Sequence, residues 1–160
     1  MKPHTRPSSQ RGSMLLEGLI AIALFSMGIL ALMGLQAIAI KNTADAKYRV
    51  EAAFLANQIL GQMWADNPLN LAGYAHNPTT GAGTCNFSGA PGNANVTAWL
   101  GNATTPGTVA GSLPGAAAAR QQITIVVGPT GPNVVTVTIC WQGPQETIPH
   151  NYVAVAQING

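Results

Sequence analysis

Arg11-Gly12-Ser13-Met14-Leu15-Leu16-Glu17, running straight into the uncharged stretch from Gly18 to Ile40, decides how this chain is read. A basic residue and a glycine stand in front, and one carboxylate, Glu17, opens a run of 23 residues without formal charge. As an α-helix that run is roughly 35 Å long, enough to cross a bilayer core of about 30 Å. An ionised group at the head of such a helix costs a few kcal/mol in lipid, so its presence marks function.

On the N-terminal side, residues 1–12 hold Lys2, His4, Arg6, Arg11 and two prolines, with no apolar periodicity. They read as a targeting leader kept on the cytoplasmic side by positive charge. On the C-terminal side the helical signal continues past Lys41. Asp45 and Arg49 lie at i,i+4 in the favourable acid-before-base order. Leu55, Ala56, Ile59, Leu60, Met63 and Trp64 recur at three- and four-residue spacing, and Tyr48 and Ala52 extend the stripe backwards. Asn67-Pro68 supplies the stop, because the residue before a proline is pushed out of the helical region. The spacing predicts one helix from about Ser13 to Asp66, apolar all round in its first half and amphipathic in its second.

The far end of the chain reads as strands. Ile123, Ile125 and Val127 alternate with Thr124 and Val126; Val135, Val137, Ile139 and Trp141 alternate with Thr136, Thr138 and Cys140. Gly128-Pro129-Thr130-Gly131-Pro132-Asn133 between them is dense turn chemistry. Tyr152 to Ile158 reads as a third strand. A three-stranded meander with one apolar face needs a cover, and the stripe of residues 48–64 is the obvious one. The expected class is α+β: one long N-terminal helix whose apolar half (13–40) spans a membrane, with a small antiparallel sheet packed on its distal half inside a globular domain of residues 41–160. Residues 68–119 are rich in Gly, Pro, Asn, Thr and Ala, with one short strand expected over Asn95 to Leu100. The rest is too long for a structureless loop in a compact domain.

Charge excludes several functions. Only 8% of residues are charged, and the net +2 of the whole chain depends on the leader. Beyond residue 12, Lys41, Lys47, Arg49 and Arg120 face Glu17, Asp45, Glu51, Asp66 and Glu146, four bases against five acids. No basic patch is available to track phosphates, so nucleic acid is not an expected partner. Beyond Asn67 only Arg120 and Glu146 are charged, which leaves almost no material for general acid–base chemistry. No nucleophile elbow, His-Glu-x-x-His or phosphate-cradling glycine loop occurs, and neither enzymatic activity nor a cofactor is expected. The two cysteines, Cys85 and Cys140, lack zinc or redox spacing. If the region is exported, a Cys85–Cys140 bridge is the default pairing and contributes roughly 4 kcal/mol; in a reducing compartment two buried thiols fit better.

Gly12, with Glu at the fifth position after it and an apolar helix beyond, resembles the type III signal of type IV pilins and pseudopilins. Phe25-Ser26-Met27-Gly28-Ile29-Leu30-Ala31-Leu32-Met33-Gly34-Leu35-Gln36 resembles the helix of minor type IV pilins of the PilV (type IV pilus modification protein) family. Ala52 to Gln58, Asp66-Asn67-Pro68 and the strand Val135 to Gln142 are similar to that family's later segments. The likeness covers residues 11–68 and 123–142 and is silent over 69–119. Ser13 stands where the family usually has a bulky apolar residue, and Met14 where Thr is common.

The resemblance implies cleavage by a prepilin peptidase between Gly12 and Ser13 and methylation of the new amino terminus at Ser13. It also implies that Glu17 meets the N-terminal amine of a neighbouring subunit during assembly. The implied partners are that peptidase, other major and minor pilins, a tip adhesin and the bacterial inner membrane. The implied locations are that membrane, with the C-terminal domain periplasmic, and the pilus fibre; the implied roles are pilus assembly or priming and pilus-dependent adhesion or motility. A minor pseudopilin of a type II secretion system shares the same helix and signal. A membrane-tethered periplasmic binding module is the alternative of another class.

Blander readings stand beside these. Glu17 reads also as an interfacial carboxylate solvated by snorkelling, and Ala37-Ile38-Ala39 mimics a signal-peptidase site. Asn86, Asn95 and Asn102 each begin an Asn-x-Ser/Thr triplet, expected by chance in so Asn/Thr-rich a segment. Trp99, Trp141 and Tyr74 read as core residues before an adhesive surface. His76 and His150 read as turn residues standing alone, with no neighbouring His, Asp or Glu at metal spacing, so no metal site is expected.

Overall fold

The computed structural model describes residues 11–80, 85–128, 132–144 and 146–158. Most of the expected leader, and the centre of the turn between the first two expected strands, lie outside them. The chain divides into two compact units, Met1–Asp45 and Ala46–Gly160. Helix α1 is Arg11–Ala65, which contains the expected helix from Ser13 and ends within one residue of the expected Asp66. With the antiparallel sheet below it makes the α+β, pilin-like arrangement that the sequence calls for.

In the first unit every side chain from Ser13 to Asn42 is exposed. Leu15, Leu19, Phe25, Met27, Leu30, Leu32 and Leu35 are among those with most of their surface open. The polar side chains on this stretch turn back on the helix: Ser26 Oγ donates to the Ile22 carbonyl at 2.8 Å and Thr43 Oγ1 to that of Ala39 at 2.9 Å. Such back-bonding satisfies a hydroxyl without water.

In the second unit, Ala52, Leu55, Ala56, Ile59, Leu60 and Met63 of α1 are buried, and Tyr48 packs against them. Trp64, expected in the same stripe, is 60% exposed. Successive helical residues step by about 100°, which carries Trp64 onto the flank of a stripe centred on Ala52, Ala56 and Met63. After α1 comes a 3₁₀ turn, Pro68–Tyr74, with Asn67 Oδ1 accepting the Leu69 N–H at 3.0 Å. Two-residue strands β1 (Thr79–Thr80) and β2 (Phe87–Ser88) pair antiparallel. Helix α2 is Ala94–Leu100, where a strand was expected. Asn93 Oδ1 caps it by accepting the Val96 N–H at 3.1 Å, and Val96, Trp99 and Leu100 then bury a helical face at i, i+3, i+4. The indole N–H of Trp99 donates to the Leu55 carbonyl at 2.9 Å, tying α2 to α1.

Gly101 ends α2 at φ +58°, and a Cβ there would collide with Thr108. No side chain fits that close approach in a left-handed conformation. Thr108 caps the short helix α3, Val109–Ser112. A 3₁₀ turn, Ala118–Arg120, leads into the sheet.

Strands β3 (Gln122–Val126), β4 (Asn133–Trp141) and β5 (His150–Ile158) form the antiparallel meander β3-β4-β5. Ile123 pairs with Val137, and Val137 with Ala154, setting the inward rows. Ile123, Val135, Val137, Ile139 and Ile158 are buried against the α1 stripe. Val127, expected to continue the first strand's apolar face, lies past the end of β3 and is exposed. Trp141, Trp99 and Tyr74 are core residues. Cys140 points away from the apolar face yet is fully buried, because Cys85 covers it through a disulfide with a Cα–Cα distance of 5.9 Å.

Candidate functional site

The residues singled out near the N-terminus lie at the N-terminal end of the described part of α1. Gly12 lies within the helix, Ser13 follows it, and Glu17 stands four residues on, on the same helical face. Among the described residues none bonds the Glu17 carboxylate, which is exposed. Between Glu17 and Lys41 no formal charge intervenes. The described residues hold one helix long and apolar enough to cross a membrane, and it lies near the N-terminus. Monomeric soluble proteins rarely expose an apolar surface of this extent.

The exit of α1 is a second polar centre. Asp66 Oδ1 accepts the Asn67 N–H at 2.7 Å and Asn70 Nδ2 at 2.9 Å, and its Oδ2 accepts the Tyr74 hydroxyl at 2.7 Å. Asn95 Nδ2 donates to that hydroxyl at 2.8 Å. These bonds, Tyr74's foremost, hold the Asp66 carboxyl below the usual carboxylate range. Burial first, and then the bond to Asp66, pushes the Tyr74 phenol above its ordinary value.

A third centre explains how the segment unreadable in the sequence is fastened. The buried His76 accepts the Gly92 N–H on Nδ1 at 3.1 Å. Its Nε2 lies 3.1 Å from the Ala118 carbonyl and 2.9 Å from Asn77 Nδ2. The His76 backbone exchanges two hydrogen bonds with Ile123, at 3.0 and 2.9 Å, covering part of the β3 edge. Asn77 Nδ2 donates to the carbonyls of Ala118 and Gln121, both at 3.1 Å. The fully buried Gln121 amide exchanges two bonds of 2.9 Å with the Cys140 backbone, extending the β3–β4 ladder with a side chain.

His150, expected to stand without an acidic neighbour, has its Nε2 at 2.9 Å from Glu146 Oε2 and its ring stacked on Trp141. The acid four residues earlier was visible in the sequence, but only the bend before β5 brings it back. His76, Asn77 and Gln121 left no sequence signal, because amides and a lone histidine in a turn-rich segment resemble ordinary loop residues.

No family model matches the chain, and no curated protein or solved structure matches it at a significant level.

Proposed function

We propose that this protein is a structural subunit of a bacterial surface filament, a minor type IV pilin of the PilV kind. The observation that carries the reading is Glu17 at the head of an apolar helix exposed from Ser13 to Ile40, continuous in sequence with the amphipathic half that builds the core of an α+β domain. The role is one of assembly and not of catalysis. The precursor is inserted in the inner membrane with the domain of Ala46–Gly160 in the periplasm, where the Cys85–Cys140 bridge is chemically at home. A prepilin peptidase then cuts between Gly12 and Ser13, the new amino terminus is methylated, and the subunit joins other pilins in a fibre or its priming complex.

Glu17 supplies the electrostatics. An acid at the centre of a membrane helix costs about 3 kcal/mol on insertion scales and less toward its ends, and the penalty falls when a cation pairs with it. The amine released at Ser13 on a neighbouring subunit is such a cation. Lateral packing of the exposed apolar surface then drives assembly, while the charge pair selects the register.

Two substitutions test this. Gly12→Ala is expected to leave the leader uncut, seen as an unshifted mass of the membrane-extracted protein; normal maturation overturns the cleavage assignment. Glu17→Val is expected to insert in the membrane at wild-type level yet be depleted at least tenfold from sheared filaments. Wild-type recovery in filaments would remove the assembly role. N-terminal sequencing separates the alternatives: a methylated Ser13 fits a pilin or pseudopilin, an intact Met1 a tethered module, and a start near Ile40 secretion. Co-purification with pilus rather than secretion-system subunits separates the first two.

A further inference from the structure

Arg120 is the only base that the chain carries beyond Arg49, and the described structure gives its guanidinium no carboxylate. It is the last residue of the 3₁₀ turn Ala118–Arg120 and is half-buried. It faces an open cavity of about 530 Å³ lined also by Asn86, Gln142, Thr147, Pro149 and Ala119. Cys85 of the disulfide contributes to the wall. Small-molecule sites commonly occupy about 300–1,000 Å³.

The guanidinium is held in place without being neutralised. Arg120 Nη1 donates to Gln142 Oε1 at 2.7 Å. Gln142 Nε2 in turn donates to the Glu146 carbonyl at 2.7 Å, which fixes the amide with its oxygen toward Arg120. Beyond Asp66 the sequence has one acid, Glu146. Its Oε2 is engaged by His150 Nε2 at 2.9 Å and by the Gly143 N–H at 3.0 Å. The turn that carries Arg120 is itself fastened through the Ala118 carbonyl by His76 and Asn77, and through Gln121 to β4. An arginine presents five N–H donors in a planar fork, and among the described residues one of them is used. A positioned, half-buried, uncompensated fork beside an open cavity is matched by a carboxylate, which accepts two parallel N–H bonds from it. One cation suits a monoanion better than a phosphate dianion. Asn86 and Thr147 line the same cavity with an amide and a hydroxyl group, the complement of a hydroxylated ligand.

We propose that the Arg120 cavity binds a small hydroxylated carboxylate of the sugar-acid class, with Arg120 holding the carboxylate and Asn86 and Thr147 facing its hydroxyls. The site is independent of how the N-terminal helix is used. The test is a titration of the full chain in detergent micelles with sodium glucuronate, followed by NMR at the Arg120 Nε–Hε signal. Glucose, acetate and inorganic phosphate at matched ionic strength are the comparison ligands. Glucuronate is expected to give a saturable shift with a dissociation constant on the order of 1 mM, with glucose giving none. Arg120→Gln is expected to weaken binding about tenfold or more, the usual weight of a charged hydrogen bond. Gln142→Glu, which supplies Arg120 with an internal carboxylate while preserving shape, is expected to do the same. Undiminished binding in both variants overturns the proposal, as does a response to acetate or phosphate equal to that to glucuronate. Should neither variant fold, the wild-type contrast between glucuronate and glucose decides, and the absence of a saturable glucuronate shift overturns the site.

Discussion

Asp66 shows how one side chain can end a helix and start a domain. A carboxylate at a helix C-terminus opposes the dipole, and here three hydrogen bonds, from Tyr74, Asn70 and the Asn67 amide, offset that repulsion. Because the folded-state pKa of Asp66 is lowered, its contribution is present above the ordinary Asp value of about 4 and is lost as pH falls through the folded pKa. The folded-state pKa of Tyr74 is raised, so its contribution is present below the ordinary Tyr value of about 10 and is lost as pH rises through the folded pKa. The pair therefore supports the fold between those limits. Urea midpoints are expected to fall between pH 5 and pH 3 in the wild type and to fall less steeply in Asp66→Asn. An unchanged acid slope in the variant would show that other carboxylates set it. His76 invites a second measurement. His76→Ala leaves the Gly92 amide and the Ala118 carbonyl without this partner, and the expected loss is about 1–3 kcal/mol in urea denaturation; a loss below about 0.5 kcal/mol would mean that the polar node around Ala118 does not hold the segment.

At the scale of elements, α1 serves two environments with two patterns, and only one pattern is a stripe. Leu55→Ala is expected to cost about 2–5 kcal/mol, since the residue is fully buried among sheet and helix side chains. Trp64→Ala, on the exposed flank, is expected to stay within about 0.5 kcal/mol despite deleting the larger side chain. Equal losses would place Trp64 in the core. The contrast marks where sequence reading succeeds. α1, β4 and β5 were legible because long segments repeat their period many times, so tertiary contacts only select a face. Trp64 was misread because the last turn of a stripe offers no further residue to fix its phase. α2 was misread because Val96, Thr97 and Trp99 give a segment of only seven residues a strand-like composition, and its cap, Asn93, looks like any other loop asparagine. The Arg120 cavity was not legible at all, being assembled from residues 85 to 149 by a disulfide and by side-chain amides. That disulfide is a strong fastener. Its reduction opens a 55-residue separation, which corresponds to about 4 kcal/mol in the chain-entropy model and a fall in Tm on the order of 15 °C. Calorimetry with and without reductant checks this; a change of only a few degrees would mean that the His76 and Gln121 bonds hold the segment by themselves.

Across the whole molecule, the described core belongs to one unit. All of its buried apolar residues, from Ala52 to Ile158, fall within Ala46–Gly160, and Tyr48 is the first residue to pack against them. From Ser13 to Thr43 the first unit adds apolar surface that is exposed. A chain divided in this way should be divisible in practice. Residues 46–160 expressed alone in an oxidising compartment are expected to be soluble, to form the Cys85–Cys140 bridge and to unfold cooperatively. The full chain is expected to need detergent or lipid. An isolated helix of residues 46–65 would be marginal in water on propensity alone, so its persistence in the fragment would have to come from Leu55, Ile59 and Met63 packing on β3 and β4. Circular dichroism, together with dispersed NMR signals from the methyl groups of those residues, reads this directly. A fragment that is soluble but lacks that helix would show that the domain depends on the preceding turns of α1. An aggregated one would show that the first unit supplies folding information absent from the core. Folding of the fragment with α1 intact would instead confine residues 13–45 to contacts outside the domain, where an exposed apolar helix headed by Glu17 has use for a membrane or for copies of its own kind.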